Sequence, residues 1–144
     1  MLHEPSNVRT IVIDSRVEEV ERLSTWVEAA ASESPLIAAH SFKVQVCIEE
    51  AVANLILHGF RGEPGHPIEV CLTESVDELL LEIKDRGLPF DPRNVAEPEL
   101  LTSIESVPIG GIGIHLMRNM TRSIDYASGE AGNNLSLVFA DTRT

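Results

Sequence analysis

Residues 44–60 read VQVCIEEAVANLILHGF. Their apolar residues recur at helical spacing, and too densely for a helix lying on the surface. With about 100° between successive residues, Asn54 falls about 40° and His58 about 80° round from Glu50, so the three share one polar stripe. Val44, Ile48, Ala51, Val52 and Leu55 cover the neighbouring face, and Glu49 points away from the stripe. A carboxylate on a largely buried helix must meet a cation, a water or a donor. A carboxylate–amide pair satisfied by a neighbouring strand or loop would answer that demand. So would a general base, Glu50, beside a hard-oxygen ligand for Mg²⁺, Asn54, with a phosphate chain completing the shell. His58 reads first as a hydrogen-bonding residue at the helix end.

Outward from this helix the chain carries short β-branched runs and helical periods. Upstream, RTIVI at 9–13 reads as a strand, and Asp14 or Ser15 would cap a helix over about 17–31. Residues 32–35 break it, and the second helix starts at Ile37 or Ser41 and runs to Leu57, where Gly59 and Gly62 end it. Downstream, 68–72 and 79–83 read as two strands around a polar turn. Residues 92–109 carry Pro92, Pro98 and Pro108 and read as a lid, with a short helix at 97–104. A helix over 114–121 and two strands, 123–126 and 135–140, complete the order. Strands bunch instead of alternating strictly with helices. The expected fold is therefore an α+β two-layer sandwich, a mixed and mainly antiparallel sheet with helices on one face.

The 144 residues carry 11 Lys and Arg against 23 Asp and Glu, a net charge of −12. That balance argues against nucleic acid and against an anionic membrane surface, both of which need clustered cations. It leaves a Mg²⁺-bearing ligand or a basic protein partner open. Aromatic residues make up 4% of the chain, so its core must be aliphatic. The length suits one domain over 1–144, with its folded core at about 8–141. Cys47 and Cys71 lie in apolar runs and read as small buried hydrophobes, since two cysteines make neither a disulfide framework nor a zinc site. No run approaches the roughly 20 apolar residues of a membrane span, and the start has no signal-peptide core, so a cytoplasmic protein is expected.

Two glycine-bearing turns remain. Asp85-Arg86-Gly87 ends a strand. Asp-x-Gly makes a turn, but it also presents an acceptor to a ligand amine, such as that of adenine, where glycine lets the backbone come close. Gly110-Gly111-Ile112-Gly113 opens a helix. It reads as a hinge for the lid or as a close approach to an anion at a helix N-terminus. It lacks the Gly-Lys-Ser/Thr ending of a P-loop and the context of a dinucleotide fingerprint.

Taken in order, Glu50-x-x-x-Asn54-x-x-x-His58-Gly59, Asp85-x-Gly87 and Gly111-x-Gly113 resemble the N, G1 and G2 boxes of the GHKL (Bergerat-fold) ATPases. EEAVANLILHG, KDRGLPFDP and GGIGIHLMRNMTRSIDY are similar in style to the small serine-protein kinase anti-sigma factors of partner-switching systems. The resemblance covers about residues 8 to 141. It implies the Bergerat ATP-binding fold, with Glu50 as general base, Asn54 as Mg²⁺ ligand and Asp85 as acceptor for the adenine amine beside Gly87. Gly111 and Gly113 become the phosphate-side glycines, His58 is compatible with the family position it occupies, and Ser136 stands near the adenine. It also implies ATP and Mg²⁺ as ligands, a STAS-domain anti-anti-sigma protein as phosphoacceptor, a sigma factor as captive and a homodimer. The lid from Asp91 to Ile109 contains Arg93 as its single basic residue. A cation for the γ-phosphate would then come from Arg86, Arg118 or a partner. Without one, the alternative is a nucleotide-binding module that sequesters a protein with little or no kinase activity.

Overall fold

The computed structural model describes residues 7–94 and 111–140. These residues form one five-stranded sheet and three helices. The strands are β1 (Asn7–Asp14), β2 (Pro67–Glu74), β3 (Glu78–Asp85), β4 (Ser123–Gly129) and β5 (Gly132–Ala140). The helices are α1 (Val20–Ala31), α2 (Pro35–Asn54) and α3 (Gly111–Met120). The sheet order is β1-β2-β3-β5-β4. Every pairing between the described strands is antiparallel, so the expected α+β sandwich stands with a fully antiparallel sheet. The helix expected at 97–104 and most of the lid fall outside the described residues.

The period-two alternation places one row of side chains under the helices. Leu79, Leu81 and Ile83 of β3 stand opposite Phe139, Leu137 and Leu135 of β5, and all six are buried. Leu23 and Val27 of α1 and Val44, Ile48 and Val52 of α2 close onto them in a single core cluster. Each such side chain adds about 1.5–3 kcal/mol over its exposed state. Cys47 and Cys71 are free and buried, as expected.

The helix ends differ from the expectation for local reasons. α2 begins at Pro35, because proline is pre-organised for a first helical position where its missing N–H is no loss. Ser34 caps it by accepting from the Ile37 N–H at 3.1 Å. The Ser34 hydroxyl also donates to buried Glu74, and Glu74 accepts from Arg9 at 2.7 Å, so one carboxylate joins β1, β2 and the start of α2. Residues 17–19 form a 3₁₀ turn ahead of α1. Neither Asp14 nor Ser15 caps that helix. Both are taken by the loop before β2: Asp14 accepts from the Gly65 N–H, and Ser15 donates to the Glu63 carbonyl and accepts from the His66 N–H.

Candidate functional site

α2 does not run straight to its glycine. From Leu55 to Gly59 the chain widens into a π turn, and the Phe60 N–H reaches back to the Leu55 carbonyl at 3.1 Å. His58 lies exposed and stacks on Phe90, with ring centroids 4.5 Å apart and planes 19° from parallel. Such turns gather at functional sites because they re-aim side chains without breaking the helix.

The turn also docks the Asp85 segment. The Gly59 carbonyl accepts from the Leu88 N–H at 3.0 Å. A Cβ on Gly87 would stand 2.8 Å from that carbonyl and 2.7 Å from the Phe60 ring, so no other residue fits there without displacing the contact. The first two sequence blocks are therefore packed directly on one another.

Asp85 is buried at the end of β3, with 8% of its surface exposed. Its Oδ1 accepts from the Gly87 N–H at 2.7 Å and from Asn133 Nδ2 at 2.9 Å. Asn133 also donates to the Gly87 carbonyl and accepts from the Ser128 hydroxyl. Among the described residues nothing donates to Asp85 Oδ2, so that oxygen stays open while Oδ1 is taken. Asp85 and Asn54 line one narrow cleft, floored by Ala51, Leu55, Ile83 and Leu135 and walled by Phe90, Pro92 and Tyr126. An apolar slot with a few convergent polar groups suits a flat, partly polar ring. The Tyr126 hydroxyl accepts from the Phe90 N–H at 3.0 Å. Burial, with the Asp85 charge contributing, holds that phenol above its usual range.

Asn54 is 6% exposed, and among the described residues its carboxamide makes no hydrogen bond. A buried amide oxygen facing a cleft, with its valence open, is the donor type that Mg²⁺ takes along with phosphate oxygens and waters. Glu50, one turn back on α2, is half-buried. Gly113, in the first turn of α3, lies so close that a Cβ there would overlap Glu50 Oε2. Gly111 is the first residue of that helix. The three blocks thus meet around the C-terminal half of α2.

Ser136 does not join them. It pairs with Glu82 and Asp125 in the sheet, and the alternation that buries Leu135 and Leu137 turns it to the face away from the helices. Asn133 holds the place beside Asp85 instead. Its signal was present in the sequence: a polar residue in register with 135, 137 and 139, the apolar positions of β5. Arg86 is also elsewhere. Its guanidinium donates to the Glu130 and Ala131 carbonyls at 3.0 Å each and braces the β4–β5 hairpin. Arg118 donates to the Arg93 carbonyl at 2.7 Å.

Burial first, and then the Glu50 charge, push the Cys47 thiol from its ordinary 9.0 up to about 12. The unfolded chain releases that proton earlier than the folded one. The associated stability is therefore whole below pH 9 and is lost as pH rises towards 12. The urea midpoint will fall across that window, and more steeply in the wild type than in Cys47→Ala. Equal slopes would contradict the assignment.

Comparison with known proteins agrees with this geometry. The family described as the Histidine kinase-like ATPase domain matches residues 13–139. A protein named Serine/threonine-protein kinase BtrW, from Bordetella bronchiseptica, is 32% identical over 115 residues, which span 78% of this chain and 80% of that one. Proteins named Anti-sigma F factor are similar at lower identity. The one from Oceanobacillus iheyensis is 28% identical over 67% of this chain and 66% of its own length, and the one from Clostridium acetobutylicum is 27% identical over 66% and 65%. Among the described residues no helix is long and apolar enough to cross a membrane. The chain belongs to the histidine kinase-like ATPase domain family, in the GHKL anti-sigma kinase subfamily that its three sequence blocks resemble.

Proposed function

We propose that this protein is a cytoplasmic serine/threonine protein kinase and anti-sigma factor. It binds ATP with Mg²⁺, phosphorylates a STAS-domain anti-anti-sigma protein and holds a sigma factor, working as a homodimer built from one ATPase domain per chain. The observation that carries this reading is the meeting of Asn54 and the free oxygen of Asp85 in one apolar cleft, with Glu50 one helical turn away against Gly113. Asp85 accepts from the adenine amine, and Gly87 lets the backbone approach the base. Asn54 holds Mg²⁺, which when bound supplies positive charge at the phosphates. Gly111 and Gly113 give the phosphate chain room at the start of α3. His58 supports the cleft through its stack on Phe90, and Ser136 lies outside it.

In the transfer step Glu50 takes the proton of the acceptor hydroxyl. The hydroxyl oxygen bonds to the γ-phosphorus, the bond from that phosphorus to the β–γ bridging oxygen breaks, and ADP leaves. Glu50→Gln removes the base and keeps the shape. Transfer to a purified STAS-domain protein should fall by about 10²- to 10⁴-fold with ATP affinity retained. Unchanged transfer would remove Glu50 from the chemistry.

A second reading has a specific observation behind it. Both arginines expected to meet the γ-phosphate are engaged with backbone carbonyls. A nucleotide-gated module that sequesters its partner without chemistry would show ATP binding and partner capture in the wild type, no phosphate transfer, and no change in either binding on Glu50→Gln.

A further inference from the structure

We infer that Arg118 is a positioning residue for the base end of the cleft, and not the cation for the nucleotide's phosphates that its place in the chain suggests. The inference rests on the nucleotide reading above. Arg118 sits in the last turn of α3, roughly 7.5 Å along the axis from Gly113 at about 1.5 Å per residue. Its Nη2 donates to the Arg93 carbonyl at 2.7 Å, which turns the guanidinium towards that residue's turn. Arg93 belongs to the 3₁₀ turn Pro92–Asn94, which follows Phe90 and contributes Pro92 to the cleft wall.

That turn is closed on itself. Asp91 accepts from the Arg93 N–H at 2.9 Å and takes the Arg93 side chain through Nε at 3.0 Å and Nη2 at 2.7 Å. Arg93, with a smaller contribution from Arg118, holds the Asp91 carboxyl below its usual range. The charge of Arg93 is thus met by Asp91 within the turn and by Asp125 of β4 at 4.0 Å, and Arg118 reads the turn through its backbone. The rest of the wall is tied at three further points. The Leu88 N–H bonds the Gly59 carbonyl, the Phe90 N–H bonds Tyr126, and the Phe90 ring lies on His58. Arg118 supplies the tie that joins the wall to α3. A wall already in place spares the ligand the entropy of ordering it, whatever phosphates the ligand carries.

The test compares adenosine, ADP and ATP as ligands of the full chain by calorimetric competition, for wild type, Arg118→Gln, Asp91→Ala and the double variant. The inference expects Arg118→Gln to weaken all three by the same factor, about tenfold for one charge-assisted hydrogen bond. Asp91→Ala should do likewise, and the double variant should add little to either, because both act through one turn. Loss confined to ADP and ATP would make Arg118 a phosphate cation and overturn the inference. So would additive losses, or a lowered melting temperature with unchanged affinities. If Arg118→Gln does not fold, equal weakening of the three ligands by Asp91→Ala supports the inference, and unequal weakening overturns it. A wild type that binds none of the three fails the nucleotide reading itself, a result distinct from each of these.

Discussion

A Gly113→Ala protein will fold, and will transfer almost no phosphate. The added methyl would overlap Glu50 Oε2, the far end of a side chain that can rotate, so the carboxylate gives way and the backbone does not. Alanine is the better helix former by up to about 1 kcal/mol, so thermal stability should stay level or rise slightly. Catalysis has no such tolerance. A base moved by about an ångström no longer reaches the hydroxyl it must deprotonate, and transfer should drop by about 10²- to 10⁴-fold. Phosphotransfer rate and melting temperature, measured together, separate this from damage to the fold. Full activity in Gly113→Ala would mean that Glu50 does not act from where it stands.

Asp85→Asn will weaken ATP by about 100-fold and reverse the preference between adenine and hypoxanthine nucleotides. Two donors already fix the inner oxygen, the Gly87 N–H and Asn133 Nδ2. An asparagine must keep its own oxygen there, since the opposite orientation sets its NH₂ against both donors. The outer position then presents a donor to the adenine amine, and a charge-assisted hydrogen bond is replaced by a clash of donors. The 6-keto oxygen of a hypoxanthine base meets that same donor well. Titration of wild type and variant with ATP and ITP reads the reversal directly. An unchanged ratio would remove Asp85 from base recognition.

Much of this site was legible because its chemistry is local. Glu50 and Asn54 are one turn apart on a helix whose apolar period is unmistakable, and Asp85 and Gly87 follow a clean strand alternation at 79, 81 and 83. What escaped the sequence depends on where the backbone departs from ideal geometry or where distant segments meet. The π turn at Leu55–Gly59 leaves no compositional trace, and neither does the stack of His58 on Phe90 that goes with it. The resemblance sets Ser136 near the base and the sequence starts the last strand at 135, whereas β5 begins at Gly132 and turns Asn133 inward. Pro35 reads as a breaker in the sequence, yet it opens α2 because Ser34 caps the first turn. Arg86 and Arg118 looked like free cations because hydrogen bonds to carbonyls across the fold have no sequence signature.

The central claim is that the cleft between Asn54 and Asp85 is an ATP site, and calorimetric titration with ATP in the presence and absence of Mg²⁺ tests it most directly. Wild type should bind in both conditions and more tightly with Mg²⁺. Asn54→Ala should lose most of that Mg²⁺ dependence and keep its affinity for adenosine. A wild type that shows no heat and no competition with either form, or an Asn54→Ala variant whose Mg²⁺ dependence is intact, would contradict the account.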